Sequence, residues 1–139
     1  VTVGVKDATD VTSSHDAVHI SNVTNASFDK LVSNRPYRHH VWINTTPQAN
    51  FAHGPVRDIR FSAIEGRGAR TAAIGIDGLD QEVGDIEFRN ALLRNEQVLA
   101  VRSGKLTGTI SVDGDLGRSR STCAPTVNPS RVRINGQPC

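Results

Sequence analysis

The chain has 139 residues, of which 37% are hydrophobic, and its 16 lysines and arginines balance 14 aspartates and glutamates to give a net charge of +2. This length predicts one domain. The sequence contains no apolar run of the roughly 18 residues that a membrane helix needs, and no clustered basic stripe of the kind that binds nucleic acid. Thirteen of the basic residues are arginines, a composition compatible with an acidic polysaccharide as partner.

Short β-branched runs recur along the chain between turn residues, and no helical periodicity competes with them. This pattern predicts an all-β protein. In chain order, the predicted strands cover residues 1–5, 17–20, 40–43, 59–61, 73–76, 86–88, 99–101 and 109–112.

The strands fall into two interleaved series. The first series aligns Ile20, Ile43, Ile76 and Val101, with steps of 23, 33 and 25 residues. The second series runs through residues 28–31, 59–61, 86–88 and 110–112. Each period therefore holds two strands, as one coil of a parallel β-helix requires, whereas the antiparallel strands of a β-sandwich have no reason to repeat in register. We predict about four coils over residues 1–113, with a loop extruded at residues 45–55.

The tetrapeptide Asp-Ile-x-Phe occurs at residues 58–61 and again 27 residues later, at 85–88. A repeat at this spacing is typical of stacked architecture. It predicts that the Ile and Phe side chains point inward and stack, while Arg60 and Glu87 pair on the outer surface. Four aspartates near glycines or strand ends are expected in turns, without a catalytic role: Asp77, Asp80, Asp85 and Asp113.

Residues 114–139 are predicted to be a C-terminal cap. A disulfide between Cys123 and Cys139 would stabilise this tail by about 3 kcal/mol and would indicate an oxidising compartment. Two free thiols are the alternative. Three sequons, at Asn22, Asn25 and Asn44, are predicted glycosylation sites in a eukaryotic source. Together these features favour a secreted, extracellular protein.

Residues 56–93 resemble the late coils of the right-handed parallel β-helix in polygalacturonase-like enzymes of glycoside hydrolase family 28, and residues 12–112 do so more loosely. Those coils carry Val-x-x-Ile-x-Phe strands, small-residue turns, and second strands that end in Gly-Leu. The resemblance implies hydrolysis of a polysaccharide without a cofactor. Residues 14–20, Ser-His-Asp-Ala-Val-His-Ile, are similar to the family's Asn-Thr-Asp-Gly-Ile-His-Ile, which implies a catalytic role for Asp16.

Two other family motifs differ in this chain. Arg35-Pro36-Tyr37-Arg38-His39-His40 stands where a Gly-Asp-Asp segment is expected, and Ala52-His53-Gly54 is the nearest match to Gly-His-Gly. Inverting hydrolysis needs two carboxylates about 6.5–9.5 Å apart, so Asp16 alone is insufficient. If the alignment at Asp16 is right, the chain is degenerate or uses another set of catalytic residues; if it is wrong, the catalytic coils are expected upstream of Val1.

The histidine and aromatic residues around the first two strands form a predicted sugar platform, with aromatic rings stacking on a pyranose and basic groups binding uronate. The predicted substrate-binding residues are His19, Tyr37, Arg38, His40, Trp42 and His53. The alternatives are stacked polar surface side chains and a metal site built from His15, His19, His39 and His40. Because residues 39 and 40 alternate between faces, we predict no metal.

Two functions remain open at this point. The first is the C-terminal part of a secreted polysaccharide-degrading enzyme, docked on an N-terminal chain of the same protein or on identical subunits that cover the open end of the stack. The second is a non-catalytic carbohydrate-binding or structural β-helix, such as a segment of a trimeric tailspike or adhesin.

Overall fold

The protein is all-β with parallel sheets. The computed structural model describes residues 16–46, 54–78, 81–103 and 105–139, so the predicted strand at residues 1–5, His15, His53 and Asp80 lie outside the described residues. The strands are β1 (Val18–Ile20), β2 (Thr24–Phe28), β3 (Leu31–Asn34), β4 (Val41–Asn44), β5 (Val56–Phe61), β6 (Ile64–Arg67), β7 (Ile74–Gly78), β8 (Val83–Arg94), β9 (Gln97–Ser103), β10 (Ile110–Asp115), β11 (Arg120–Cys123), β12 (Val132–Ile134) and β13 (Gln137–Pro138). A short 3-10 helix, Pro129–Arg131, precedes β12.

The chain passes back and forth between two sheets. The first sheet has the order β1-β4-β7-β9-β11, and all its pairs are parallel. The second sheet has the order β2-β5-β8-β10-β12-β13, with β3 and β6 pairing beside it against the C-terminal half of β8. Only β12 and β13 pair in an antiparallel manner among the described strands.

The register confirms the first predicted series and, in the second series, the alignment of residues 59–61, 86–88 and 110–112. The predicted start of the second series at residues 28–31 was wrong, because residues 26–28 pair with 59–61, and Leu31 begins the next strand and pairs with Ile64. In the first sheet Ile20 pairs with Ile43, Ile43 with Ile76, and Ile76 with Val101. In the second sheet the equivalent column consists of Phe28, Phe61, Phe88 and Val112. Each column places like apolar residues on neighbouring strands, which lie about 4.7–4.9 Å apart.

The core lies between the two sheets and is built from these columns. The rings of Phe28 and Phe61 stack with centroids 4.3 Å apart, and those of Phe61 and Phe88 with centroids 4.8 Å apart. Ile59 and Ile86 are buried beside them. On the outer surface Arg60 Nε donates a hydrogen bond to Glu87 Oε2 at 3.0 Å. The inward and outward orientations predicted from the Asp-Ile-x-Phe repeat are therefore confirmed.

A left-handed backbone conformation recurs at one position of the second sheet and gives the aspartate of this repeat its structural role. Asn25, Asp58 and Asp85 occupy equivalent positions in β2, β5 and β8, and their φ angles are 62°, 54° and 50°. Asn and Asp enter this left-handed region more readily than other non-glycine residues. The prediction that Asp77, Asp85 and Asp113 lie in turns was wrong, because the structure places them within β7, β8 and β10.

The C-terminal residues continue the stack instead of only covering it. β11 pairs with β9 in the first sheet, and β12 pairs with β10 in the second, both beyond the expected limit at residue 113. The disulfide between Cys123 and Cys139 is confirmed, with Cα atoms 6.2 Å apart. Val127 and Val132 contribute buried side chains to the core, which gives this segment more core than the sequence predicted.

The three predicted glycosylation sites differ in accessibility. Asn22 and Asn25 are exposed. Asn44 is buried, and its Oδ1 accepts a hydrogen bond from the Thr46 backbone at 3.0 Å, so the folded chain leaves no room for a glycan there. Nothing in the described ranges forms a helix of the length and apolarity needed to cross a membrane.

Candidate functional site

Asp16, which the resemblance assigns to catalysis, anchors a buried polar cluster beside the first sheet. Arg38 Nη2 donates to Asp16 Oδ2 at 2.6 Å, and His39 Nδ1 donates to Asp16 Oδ1 at 2.7 Å. The Asp16 side chain is only 2% exposed. Burial alone would raise the pKa of this carboxyl, but the hydrogen bonds from His39 and Arg38 outweigh burial and hold the pKa below its usual value.

This arrangement favours a positioning role for Asp16. A general acid must hold a proton near neutral pH, whereas Asp16 is held ionised and both its oxygens are occupied. The imidazole of His39 is equally enclosed: a Cβ atom on Gly75 would lie 2.6 Å from His39 Nε2, so only glycine fits beneath the ring. The catalytic assignment of Asp16 stays a prediction.

Trp42 lies within the same cluster and presents little ring surface to a ligand. His19, its register partner in β1, stacks on the indole with centroids 4.6 Å apart, and the Arg38 guanidinium lies 4.4 Å from the ring centroid. Trp42 Nε1 donates to Asp77 Oδ2 at 2.8 Å. The predicted sugar-stacking face of Trp42 is thus covered by the protein's own side chains. His19 and Trp42 are neighbours, as the sequence predicted.

His40 points to the opposite side of the chain from His39, as strand alternation predicted. It differs from the expectation of a substrate contact, because its side chain has no exposed surface. Its Nε2 donates to Asn95 Oδ1 at 3.1 Å, its Nδ1 accepts from the Ser33 hydroxyl at 2.7 Å, and Gly66 leaves room for the ring. Burial lowers the pKa of His40 to about 4, so the imidazole is neutral at pH 7.

The last two predicted sugar-binding residues are Tyr37, which is exposed, and His53, which lies outside the described residues. Tyr37 is 49% exposed, and the Arg70 guanidinium lies 4.9 Å from its ring centroid. His53 lies in residues 47–53, which the structure does not describe. Tyr37 is therefore the predicted aromatic residue whose ring reaches solvent.

An open groove on the outer face of the second sheet brings together residues that the sequence analysis treated as scaffold. It crosses β2, β5, β8 and β10 at the residues with positive φ, and its volume is about 450 Å³. We call it the carboxylate groove; its charged and amide lining residues are Asn25, Asp58, Arg60, Asp85, Glu87 and Arg89.

The groove is polar and slightly acidic. Glu87 accepts hydrogen bonds from Arg60 at 3.0 Å and from Arg89 at 2.6 Å. Partial burial would raise the pKa of Glu87, but these two arginines lower it. Asp85 Oδ1 accepts from the Thr109 backbone N at 3.2 Å, and its side chain remains exposed, as does that of Asp58. Three carboxylates face two guanidinium groups.

The signal that could have revealed this groove was the Asp-Ile-x-Phe repeat itself. Equal residues at a constant spacing predict a column of identical side chains, but the positive φ at Asp58 and Asp85 and the groove beside them are visible only in the structure. Within the described ranges, no group of three or more His, Cys, Asp or Glu residues has a geometry suited to a metal ion.

Comparisons with protein-family models, curated proteins and solved structures found no match to this chain.

Proposed function

We propose that the chain forms coils of a right-handed parallel β-helix in a secreted, polygalacturonase-like protein that degrades polysaccharides, and that the carboxylate groove holds the polymer. The observation that carries this proposal is the open polar groove across four stacked strands. The alternation of strands between two parallel sheets, in constant register, supports the β-helix. The disulfide supports an oxidising compartment.

The chemistry of the groove suits sugar hydroxyls. Carboxylates accept hydrogen bonds from hydroxyls, and guanidinium groups donate to hydroxyl and ring oxygens. Asp58 and Asp85 occupy equivalent positions on neighbouring strands, so they present the same group at successive steps along the stack. The slight excess of carboxylates disfavours a uronate chain here, and we propose a neutral polysaccharide in this groove.

Catalysis by this chain would require a carboxyl that remains protonated as general acid. The carboxyls with a resolved shift, those of Asp16, Glu87 and Asp115, all have lowered pKa values. We therefore propose that the groove contributes binding, and that Asp58 and Asp85 are the residues that accept hydrogen bonds from the polymer.

The double substitution of Asp58 and Asp85 by asparagine tests the binding role. We expect the affinity for a bound neutral polysaccharide to fall about tenfold, since each charge-assisted hydrogen bond contributes on the order of 1.5–3 kcal/mol and asparagine retains part of it. Affinity electrophoresis against a panel of neutral glucans, galactans and arabinans, followed by titration calorimetry on the best ligand, measures this.

Glu96→Gln is the matched control, because Glu96 is an exposed carboxylate paired with Arg120 outside the groove. We expect it to bind as the unsubstituted protein does. Equal affinity of the double variant and the unsubstituted protein would contradict the binding role. Release of reducing sugars by the intact protein tests degradation separately, with Asp16→Asn as its companion variant.

A second candidate is a non-catalytic carbohydrate-binding or structural β-helix, such as a segment of a trimeric spike. It is favoured by the position of Asp16, whose carboxylate is enclosed by Arg38 and His39. Native mass spectrometry separates the candidates: three identical copies support the spike, whereas a further, different chain or a monomer that releases reducing sugars supports the enzyme.

A further inference from the structure

One of the three predicted glycosylation sites lies in the lining of the carboxylate groove. Asn25 begins the sequon Asn25-Ala26-Ser27, and both Asn25 and Ser27 line the groove. Asn25 is exposed, whereas Asn44 is buried. The groove that we assign to a sugar polymer therefore also contains a residue to which eukaryotic cells attach a sugar chain.

Asn25 occupies the first position of the column that continues with Asp58 and Asp85. The residues on both sides of these three are paired in register across β2, β5 and β8. All three have a positive φ, so their side chains leave the backbone in the same way. Because neighbouring strands lie about 4.7–4.9 Å apart, a sugar on Asn25 Nδ2 starts beside Asp58, with Asp85 one strand further along.

The side chains along this column match the first sugar of an N-linked glycan. N-acetylglucosamine is neutral, and its hydroxyl and amide groups donate hydrogen bonds that carboxylates accept. Glu87 is already held by Arg60 and Arg89. Asp58 and Asp85 are exposed, so they are the carboxylates left to accept hydrogen bonds from the sugar.

The neighbouring sequon at Asn22 has a different environment. Asn22 is not part of the groove lining. A Cβ atom on Gly54 would collide with the Asn22 carboxamide, which shows that this amide packs against the Gly54 backbone. The two sequons lie three residues apart in the sequence, and Asn25 alone of the two places its side chain in the groove.

We propose that Asn25 carries an N-linked glycan whose first sugars lie in the carboxylate groove and exclude the polysaccharide from it. In the attachment step, Asn25 Nδ2 bonds to the anomeric carbon of a lipid-diphosphate-linked oligosaccharide. The bond from that carbon to the diphosphate oxygen breaks, the lipid diphosphate leaves with the bonding electrons, and Nδ2 loses one proton. The inference rests on the proposed function, because it makes polymer binding at the same groove conditional on the absence of the glycan.

Peptide mapping of the chain secreted from insect cells measures the occupancy of Asn25. We expect a glycan on Asn25 in the unsubstituted protein and in Thr24→Ala, the matched control, which removes only the sequon at Asn22. Ser27→Ala should carry none, and Ser27→Thr, which keeps the sequon, should carry it. An unoccupied Asn25 in the unsubstituted protein would overturn the inference.

Release of the glycan by peptide N-glycosidase measures whether its sugars lie in the groove. We expect release from the folded protein to be about tenfold slower than from the double variant Asp58→Asn and Asp85→Asn, which loses charge-assisted hydrogen bonds to the sugar. Glu96→Gln, outside the groove, should release the glycan at the unsubstituted rate. Equal rates for the unsubstituted protein and the double variant would overturn the placement of the glycan. Heat-denatured samples give the rate for the accessible glycan.

Polysaccharide affinity separates the failure of this inference from the failure of the proposed function. The chain made in bacteria, which has no glycan, is titrated with the neutral polysaccharide that binds best in the panel above. The glycosylated chain should bind at least tenfold more weakly, while secreted and bacterial Ser27→Ala should bind equally. Equal affinity of the glycosylated and bacterial chains would overturn this inference alone. Slow glycan release without polymer binding by the bacterial chain would contradict the proposed function and support the glycan in the groove.

Discussion

Replacing Phe88 by alanine is expected to lower the free energy of unfolding by about 3–5 kcal/mol, the range for a phenylalanine deleted from a packed core. Phe88 is fully buried, and it lies in the strand that contacts β5, β6 and β10. Its ring stacks on that of Phe61 with centroids 4.8 Å apart. Because β8 is central in the second sheet, the cavity would be enclosed on both sides and could not collapse easily. Urea unfolding followed by circular dichroism measures the loss.

Phe28→Ala is the matched comparison. Phe28 belongs to the same column, but among the rings of the described residues it stacks on Phe61 alone, and it retains 6% exposure in β2. We expect a clearly smaller loss of stability, since β2 is the outermost described strand on that side of the second sheet and can relax around the deleted ring. Equal losses in the two variants would contradict the central role assigned to β8.

Acidification between pH 6.5 and about 4 is expected to destabilise the fold through His40. Burial lowers the pKa of His40 from 6.5 to about 4, so below pH 6.5 the unfolded chain takes up a proton that the folded chain does not. The stability that depends on neutral His40 is therefore complete above pH 6.5 and is lost as the pH falls. At 1.36 kcal/mol per pKa unit, the full loss is about 3 kcal/mol.

The environment of His40 explains why its pKa is lowered and why acidification destabilises the fold. Its direct partners, Ser33 and Asn95, are neutral; the hydrogen bond to Asn95 raises the pKa, but burial and the nearby His39 lower it more. Asp16 acts in a different pH window, because its lowered pKa makes its contribution disappear only below pH 3.8. His19, whose pKa is also lowered by burial, acts in the same direction as His40.

Urea unfolding at pH 7.0, 5.5 and 4.5 measures this effect, with His40→Gln as the test variant. Glutamine cannot take up the proton, so the variant should be less stable at pH 7 but should lose much less stability on acidification. The pH dependence of stability that remains in the variant is expected to come from His19 and other titratable groups. A pH dependence of the same steepness in the variant would contradict the assignment to His40.

The periodic residues made much of the fold predictable. The first series aligns in the sequence because each of its residues must fill the same place in the core. The structure pairs them in register on neighbouring strands: Ile20 with Ile43, Ile43 with Ile76, and Ile76 with Val101. The Cys123–Cys139 disulfide was predictable because the chain has no other cysteine. Six strands were absent from the predicted set, namely β2, β3, β6, β11, β12 and β13, because they are short and their polar residues resemble turns.

The sequence by itself determined the all-β class, the in-register repetition and the inward position of the Ile and Phe residues, because side-chain alternation and burial follow from local pattern. Only the tertiary structure decided which polar residues meet. Asp16 is enclosed because Arg38 and His39 come from the loop before the neighbouring strand. Asp58 and Asp85 line one groove because the strand register places them at equivalent positions of β5 and β8, where both have a positive φ. Such contacts depend on strand register and backbone conformation, which arise from residues 20 to 30 positions apart packing together.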